Sequence, residues 1–305
     1  MTYAGTPGKS IRMNYREDFR GASSSGDALD IYQNTIDEVV ALQAATLGQL
    51  VARHATIIED EGAPSPEYTG DALDRFAHAA RTDATLEHTV FQVMGQLQPL
   101  AFKVTDIVAA ASQTLTAHMS EGDRNLYRRG ARLVDQGAGS PAFQEFINDA
   151  RPDDRPALIA ALDRPVTDQL HKQADYVVGG VDTRAFVTGR EQLSPQGKPG
   201  IWASLDSAIF QQVQRHAEDF GAGSPVIEDT LSRATGPAQA AIRAALDKSV
   251  WGLMEQVHRQ YSVQSVVLEA VARKASSLRI GQILHSRLTG RPLPPAIIEL
   301  PGQTE

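Results

Sequence analysis

Apolar residues recur along most of this chain at spacings of three and four, which places them on one face of an α-helix. The first such run covers 30–59 and includes Leu50. The last covers 262–288 and includes Val271 and Ile283. Frequent alanine and an aromatic content of only 6% favour closely packed helices over a β-sandwich. The pattern therefore predicts an all-α protein.

A short motif, Asp-x-Gly-Ala-x-Ser-Pro, stands between helical runs at three places, beginning at Asp60, Asp135 and Asp219. Glycine just past a helix end takes the left-handed conformation without a Cβ penalty. Serine is a good N-cap, and proline fits the first position of the next helix. The motif predicts three helix corners, built by Gly62, Ser65 and Pro66, by Gly137, Ser140 and Pro141, and by Gly221, Ser224 and Pro225.

The second and third corners open segments that match without a gap at an offset of 84 residues (135 to 219). Segments 135–166 and 219–250 share Gly-Ala-Gly-Ser-Pro and, later, Ala-Leu-Asp. The match predicts internal duplication. A unit of this size exceeds the roughly 34 to 47 residues of common two-helix repeats, so three or four helices per unit fit better. The first corner shares little beyond the motif, which leaves its membership open.

The chain is thus expected to form successive multi-helix bundle units, two or three of them duplicated, between ends of different composition. A Gly/Ser-rich start predicts a disordered or extended arm, and a proline-rich end predicts an extended tail. A Gly/Pro-rich segment between the later units predicts a long loop. The expected order is the arm over 1–28, unit 1 over 29–117, unit 2 over 118–178, the loop over 179–205, unit 3 over 206–288 and the tail over 289–305.

Composition narrows the classes of function. A net charge of −8 argues against broad nucleic-acid binding, which needs clustered Lys and Arg. The absence of cysteine excludes disulfides, thiolate catalysis and cysteine-ligated metals. Neither a membrane-spanning apolar run nor the apolar core of a secretory signal is evident. We expect a cytoplasmic protein, or one exported or assembled without a cleaved signal peptide.

No catalytic, metal or nucleotide motif stands out. Glu255 and His258 have the spacing of a di-iron motif, which needs a second such pair. Asp168 and His171 have the same spacing, but the 84-residue offset does not superimpose the two pairs. We therefore expect no catalytic residues, no metal and no cofactor, and leave open whether Glu255 and His258 do more than pack.

Two segments combine basic and aromatic side chains in a way suited to contacts with other proteins. One lies in the predicted arm and the other in the predicted loop. The partner-binding residues predicted from them are Arg12, Tyr15, Arg16, Phe19, Arg190 and Trp202.

The leading expectation is a non-enzymatic helical protein that binds other proteins or itself, as a scaffold, assembly component or regulator. Gatekeepers and effectors of bacterial secretion systems and phage virion components share this layout, an analogy of architecture that no motif supports. One alternative is a helical ligand- or metal-binding enzyme, with its pocket between units and the 179–205 loop as a lid. Another is a homo-oligomeric structural protein that exchanges its arm and tail.

Overall fold

The computed structural model describes residues 15–62, 72–150, 155–175, 177, 179–261 and 266–294. The described residues form twelve α-helices and no strand, which confirms the predicted all-α class. The helices are α1 (Tyr15–Gly21), α2 (Ser25–Gly62), α3 (Ala72–His118), α4 (Glu121–Asp135), α5 (Pro141–Asp149), α6 (Pro156–Ala174), α7 (Arg184–Glu191), α8 (Lys198–Phe220), α9 (Pro225–Leu231), α10 (Gly236–Gln260), α11 (Val266–Ala272) and α12 (Leu278–Thr289). None of these helices is long and apolar enough to cross a bilayer.

The chain divides into two compact units, each made of two separated segments. Unit 1 comprises Met1–Ala41 and Leu100–Leu205, and unit 2 comprises Leu42–Pro99 and Asp206–Glu305. Helices α2, α3 and α8 contribute residues to both units. The sequence predicted units that follow one another along the chain, because helical periodicity reports which residues are buried but not what they are buried against.

The second corner ends α4 and starts α5. Gly137 has a φ of +132°, a value that L side chains rarely adopt. Its N–H donates to the carbonyl of Val134 at 2.8 Å. The Ser140 hydroxyl accepts from the backbone N–H of Phe143, and Pro141 occupies the first turn of α5.

The third corner is built in the same way between α8 and α9. Gly221 has a φ of +81°, and the Ser224 hydroxyl accepts from the backbone N–H of Val226. Of the first corner, Gly62 is the last residue of α2, while Ser65 and Pro66 lie outside the described residues.

From α4 onward, longer helices alternate with short ones of seven to nine residues. Three buried aspartates on α6, α8 and α10 each hold a residue just before the following long helix. In every pair Oδ1 accepts the backbone N–H at 2.7–2.9 Å and Oδ2 accepts the hydroxyl of the same residue. We call these pairs the aspartate clamps: Asp163 with Ser194, Asp206 with Thr235, and Asp247 with Ser276.

The hydrogen bonds of the clamps offset the cost of burying the three aspartates, since a buried carboxylate destabilises the fold unless its oxygens accept hydrogen bonds. Two clamps gain a further donor from the long helix α2. The Tyr32 hydroxyl donates to Asp163 Oδ2 at 3.0 Å in unit 1. The His54 Nε2 lies 2.8 Å from Asp247 Oδ2 in unit 2. Each bond ties residues far apart in sequence together within its own unit.

The predicted loop over 179–205 is largely helical. It contains α7, and its last eight residues form the first turns of α8. Gly180 (φ +77°) helps to turn the chain, and the Thr183 hydroxyl then caps α7 by accepting from the N–H of the buried Phe186. The glycines and prolines therefore mark the ends of a short helix, and the loop prediction was wrong for most of this segment.

The ends of the chain also differ from expectation where they are described. Residues 15–21 form α1 and α2 begins at Ser25, so the second half of the predicted arm is ordered. At the other end α12 stops at Gly290, whose φ is +67°. The residues that follow α12 are bonded back to the helix, because Ser286 Oγ donates to the carbonyl of Arg291 at 2.6 Å.

Candidate functional site

Helix α1 is attached to α3 through the acidic side chain Asp106, and it carries one buried ring. Phe19 is 3% exposed. Tyr15 donates its hydroxyl to Asp106, and Arg16 Nη2 lies 2.7 and 2.6 Å from the two oxygens of that carboxylate. The hydrogen bonds from Tyr15 and then Arg16 lower the pKa of Asp106 below its ordinary value. Two of the predicted partner-binding residues, Tyr15 and Arg16, thus attach α1 to α3, and a third, Phe19, is buried.

A groove of about 610 Å³ lies beside this attachment, entirely within unit 1. Its floor is one face of α3, where the small side chains of Ala109, Ala110 and Ala117 leave room for the groove. Arg16 and Arg20 line it from α1, and because they are four residues apart on a helix they share one face. The complete lining is Arg16, Phe19, Arg20, Ala22, Asp106, Ala109, Ala110, Gln113, Thr114, Ala117, His118 and Arg164.

The groove carries an excess of positive charge. Asp106 balances Arg16, with which it forms an ion pair at 2.6 Å. Arg20 and Arg164 are exposed, and neither forms an ion pair with any residue that the structure describes. Two guanidinium groups therefore line this groove without a carboxylate partner in the described part of the chain, whose full sequence has a net charge of −8.

The chemistry available in the groove is that of recognition. Arginine presents a planar fork of donors that matches a carboxylate or phosphate. Gln113 and Thr114 add an amide and a hydroxyl on the floor. The one carboxylate, Asp106, is engaged by Tyr15 and Arg16. The lining can therefore hold an anion in a set orientation.

The other two predicted partner-binding residues pack together elsewhere in unit 1. Arg190 is 5% exposed, and its guanidinium lies 4.1 Å from the ring centre of Trp202. Trp202 Nε1 also donates to the carbonyl of Arg190 at 3.4 Å. Lys198 Nζ lies 5.0 Å from the centre of the same ring. The burial of Arg190 against the half-buried Trp202 ring favours a structural role, and a partner-binding role for them stays a prediction. Arg12 lies outside the described residues.

The Glu255 and His258 pair does not form part of a metal centre in the described portion of the chain. No three His, Asp or Glu side chains there come close enough to share a metal ion. Glu255 Oε2 lies 3.8 Å from Arg259 of the same helix, which is an ordinary surface pair. The Nδ1 atom of His258 is buried and has no hydrogen-bond partner among these residues.

Sequence reasoning found one side of the groove and missed the other. Arg20 follows Arg16 at helical spacing, so recognising α1 as a helix would have added it. Arg164 stands 144 positions from Arg20 (20 to 164), and only the packing of α6 brings it to the groove. No local pattern around Arg164 signals that placement.

Comparison with known proteins adds no relative: no family model, no curated protein and no solved structure matches this chain.

Proposed function

We propose that this is a non-enzymatic helical protein that binds an acidic segment of a partner protein in the groove of unit 1. The observation that carries the proposal is the pair of arginines, Arg20 and Arg164, that line one groove without carboxylate partners among the described residues. Opposite charges across an interface set partner choice and speed association. Carboxylates spaced along a partner would supply the missing counter-charges.

The shape of the groove favours an extended chain over a helix. Its floor runs along α3 from Asp106 to His118, which at 1.5 Å per residue is roughly 18 Å. An extended segment of five or six residues covers that length at about 3.3 Å per residue. The alanine floor lets a backbone approach closely, and alternate side chains of an extended segment point the same way. A partner with acidic residues at every second position fits best.

The aspartate clamps support a scaffold built from repeated modules. Asp163, Asp206 and Asp247 follow one another after 43 residues (163 to 206) and 41 residues (206 to 247). Both intervals are close to half of the 84-residue offset found in the sequence. We infer a module of about 42 residues, one long helix and one short helix, which lies within the range of common two-helix repeats. The 84-residue offset in the sequence then spans two such modules, which is why it exceeds the length of a two-helix repeat.

Binding of a labelled acidic peptide tests the proposed function. The probe is a fluorescein-labelled hexapeptide of alternating Glu and Ala, and fluorescence anisotropy measures its binding at low salt. We expect saturable binding that weakens about tenfold or more in the variant R20E/R164E, since each lost charged hydrogen bond contributes about 1.5–3 kcal/mol. Raising the salt concentration weakens binding as well.

The matched control is R53E/R81E, which changes the net charge equally at two exposed arginines of unit 2. We expect it to bind the peptide as the wild type does. Equal losses in both double variants would mean that only overall charge matters and would overturn the proposal. So would an oligonucleotide of equal charge that binds as tightly as the peptide, because the site would then not favour a protein partner.

A further inference from the structure

A second pocket, of about 360 Å³, lies within unit 2. Residues of α11 and α12 form two of its sides, and 291–294 form the third. Apolar surface comes from Leu278, Gly281 and Pro292, and positive charge comes from Arg273 and Arg291. A concave pocket of this size with mainly apolar walls and a few polar groups is the usual form of a small-molecule site.

The charges around this pocket do not balance. Arg273 is exposed and Arg291 is partly buried, and neither guanidinium pairs with a carboxylate of the described chain. Glu269 is the one carboxylate in the lining. Burial, followed by the nearby charge of Arg291, lowers the pKa of His285 and so favours its neutral form. The lining therefore carries one net positive charge.

We propose that this pocket binds a small monocarboxylic acid with an apolar body. The carboxylate lies between Arg273 and Arg291, whose forked donors match its two oxygens. The apolar body lies against Leu278 and Pro292, where it removes exposed apolar surface from water. One negative charge on the ligand neutralises the net charge of the lining, whereas a doubly charged phosphate would leave a net negative charge in the pocket.

The pocket is held in shape before any ligand arrives. A Cβ atom at Gly281 would lie 2.2 Å from the carbonyl oxygen of Ala272, so α11 and α12 approach closely at this point. Arg279 Nη1 donates to the carbonyl of Pro294 at 2.8 Å. The Ser286 hydroxyl donates to the carbonyl of Arg291. A preformed site of this kind lowers the entropic cost of binding.

One buried polar atom in the lining lacks a partner. His285 Nε2 is buried and accepts or donates no hydrogen bond within the described chain. Buried polar groups are nearly always hydrogen-bonded, so an orphan atom calls for an explanation. A ligand oxygen beside the His285 ring would supply the missing bond.

Calorimetric titration of the full chain with hexanoate tests this inference, with hexylammonium as the probe of opposite charge. We expect hexanoate to bind and hexylammonium not to bind. The variant R273Q/R291Q loses two charged donors and should bind hexanoate at least about tenfold more weakly. The control R53Q/R81Q removes two exposed arginines of the same unit and should leave binding unchanged.

A second variant tests the apolar wall. Leu278 is 65% exposed and is the first residue of α12, where an acidic side chain suits the helix dipole. L278D should therefore fold normally, yet repel the carboxylate and weaken binding. The inference is overturned if hexylammonium binds as well as hexanoate, or if R273Q/R291Q and L278D both bind as the control does. R20E/R164E should bind hexanoate normally, so this result is independent of the groove in unit 1.

Discussion

At the scale of single residues, Asp163 is the most informative side chain of unit 1. It accepts from the backbone and the hydroxyl of Ser194 and from the hydroxyl of Tyr32. Burial raises its pKa to about 7 despite these hydrogen bonds. Burial also raises the pKa of Tyr32 well above its ordinary value, and the charge of Asp163 adds to this. The sequence shows the repeated Ala-Leu-Asp but not that its aspartate is buried.

The raised pKa of Asp163 predicts that the free energy of unfolding falls as pH rises from about 4 to about 7. In this window the folded chain holds a proton that the unfolded chain, with a pKa near 3.8, has released. The variant D163N cannot release that proton, so its stability should fall less, by an amount on the order of a few kcal/mol. Urea unfolding at pH 4.5, 5.5, 6.5 and 7.5 measures the difference.

Asp18, an exposed carboxylate on α1, provides the control for this comparison. D18N should follow the wild-type dependence on pH. If D163N and the wild type lost stability in parallel across the window, the buried carboxyl would not be the source of the effect.

At the scale of helices, periodicity predicted α2, which contains the run 30–59, but the run 262–288 is divided between α11 and α12. Composition misled at the short helices. The corners at Ser140 and Ser224 could be predicted because glycine, serine and proline each have a local reason to be there. Helix α7 was missed because its neighbourhood is rich in glycine and proline. Helix α1 has only seven residues, and its partner Asp106 lies 91 positions from Tyr15, so local pattern could not reveal its docking.

Two helical glycines provide a matched test of packing in unit 2. A Cβ at Gly281 would meet the backbone oxygen of Ala272, whereas a Cβ at Gly252 would meet nothing within 4 Å. We expect G281A to destabilise unit 2 by about 1–3 kcal/mol, because a backbone atom cannot move aside as a side chain can. G252A should stabilise it by up to about 1 kcal/mol, through the better helix propensity of alanine.

Urea unfolding of both variants separates these outcomes. The same G281A variant should also bind hexanoate more weakly if α11 and α12 shape the pocket. If G281A and G252A had equal free energies of unfolding, α11 and α12 could separate without a loss of stability. Their close approach at Gly281 would then not stabilise the protein.

At the scale of the whole molecule, the all-α class could be predicted from the sequence. The composition of the two units could not, because each combines segments from distant parts of the chain. The same reason hid the groove: Arg16 and Phe19 were identified, but Arg164 reaches them only through the fold. Net charge predicted an acidic protein and gave no sign of a local basic site.

The aspartate clamps predict an unusual map of hydrogen exchange over the molecule. Ser194, Thr235 and Ser276 precede helices, where backbone amides normally exchange fast, yet each donates its N–H to a buried carboxylate. We expect these three amides to exchange far more slowly than that of the exposed Gly223, another residue between helices. Exchange measured by NMR or by mass spectrometry with fine fragmentation tests this, and fast exchange at all three would contradict the clamps.

The division of α2 between the two units has a consequence for biosynthesis. Unit 1 is complete once Leu205 has left the ribosome, whereas unit 2 needs the chain through its last segment. Residues 42–99 are therefore made early and wait for partners that are translated about a hundred residues later, from Asp206 onward. The newborn polypeptide exposes the apolar face of that stretch during this interval, when unpaired apolar surface favours aggregation.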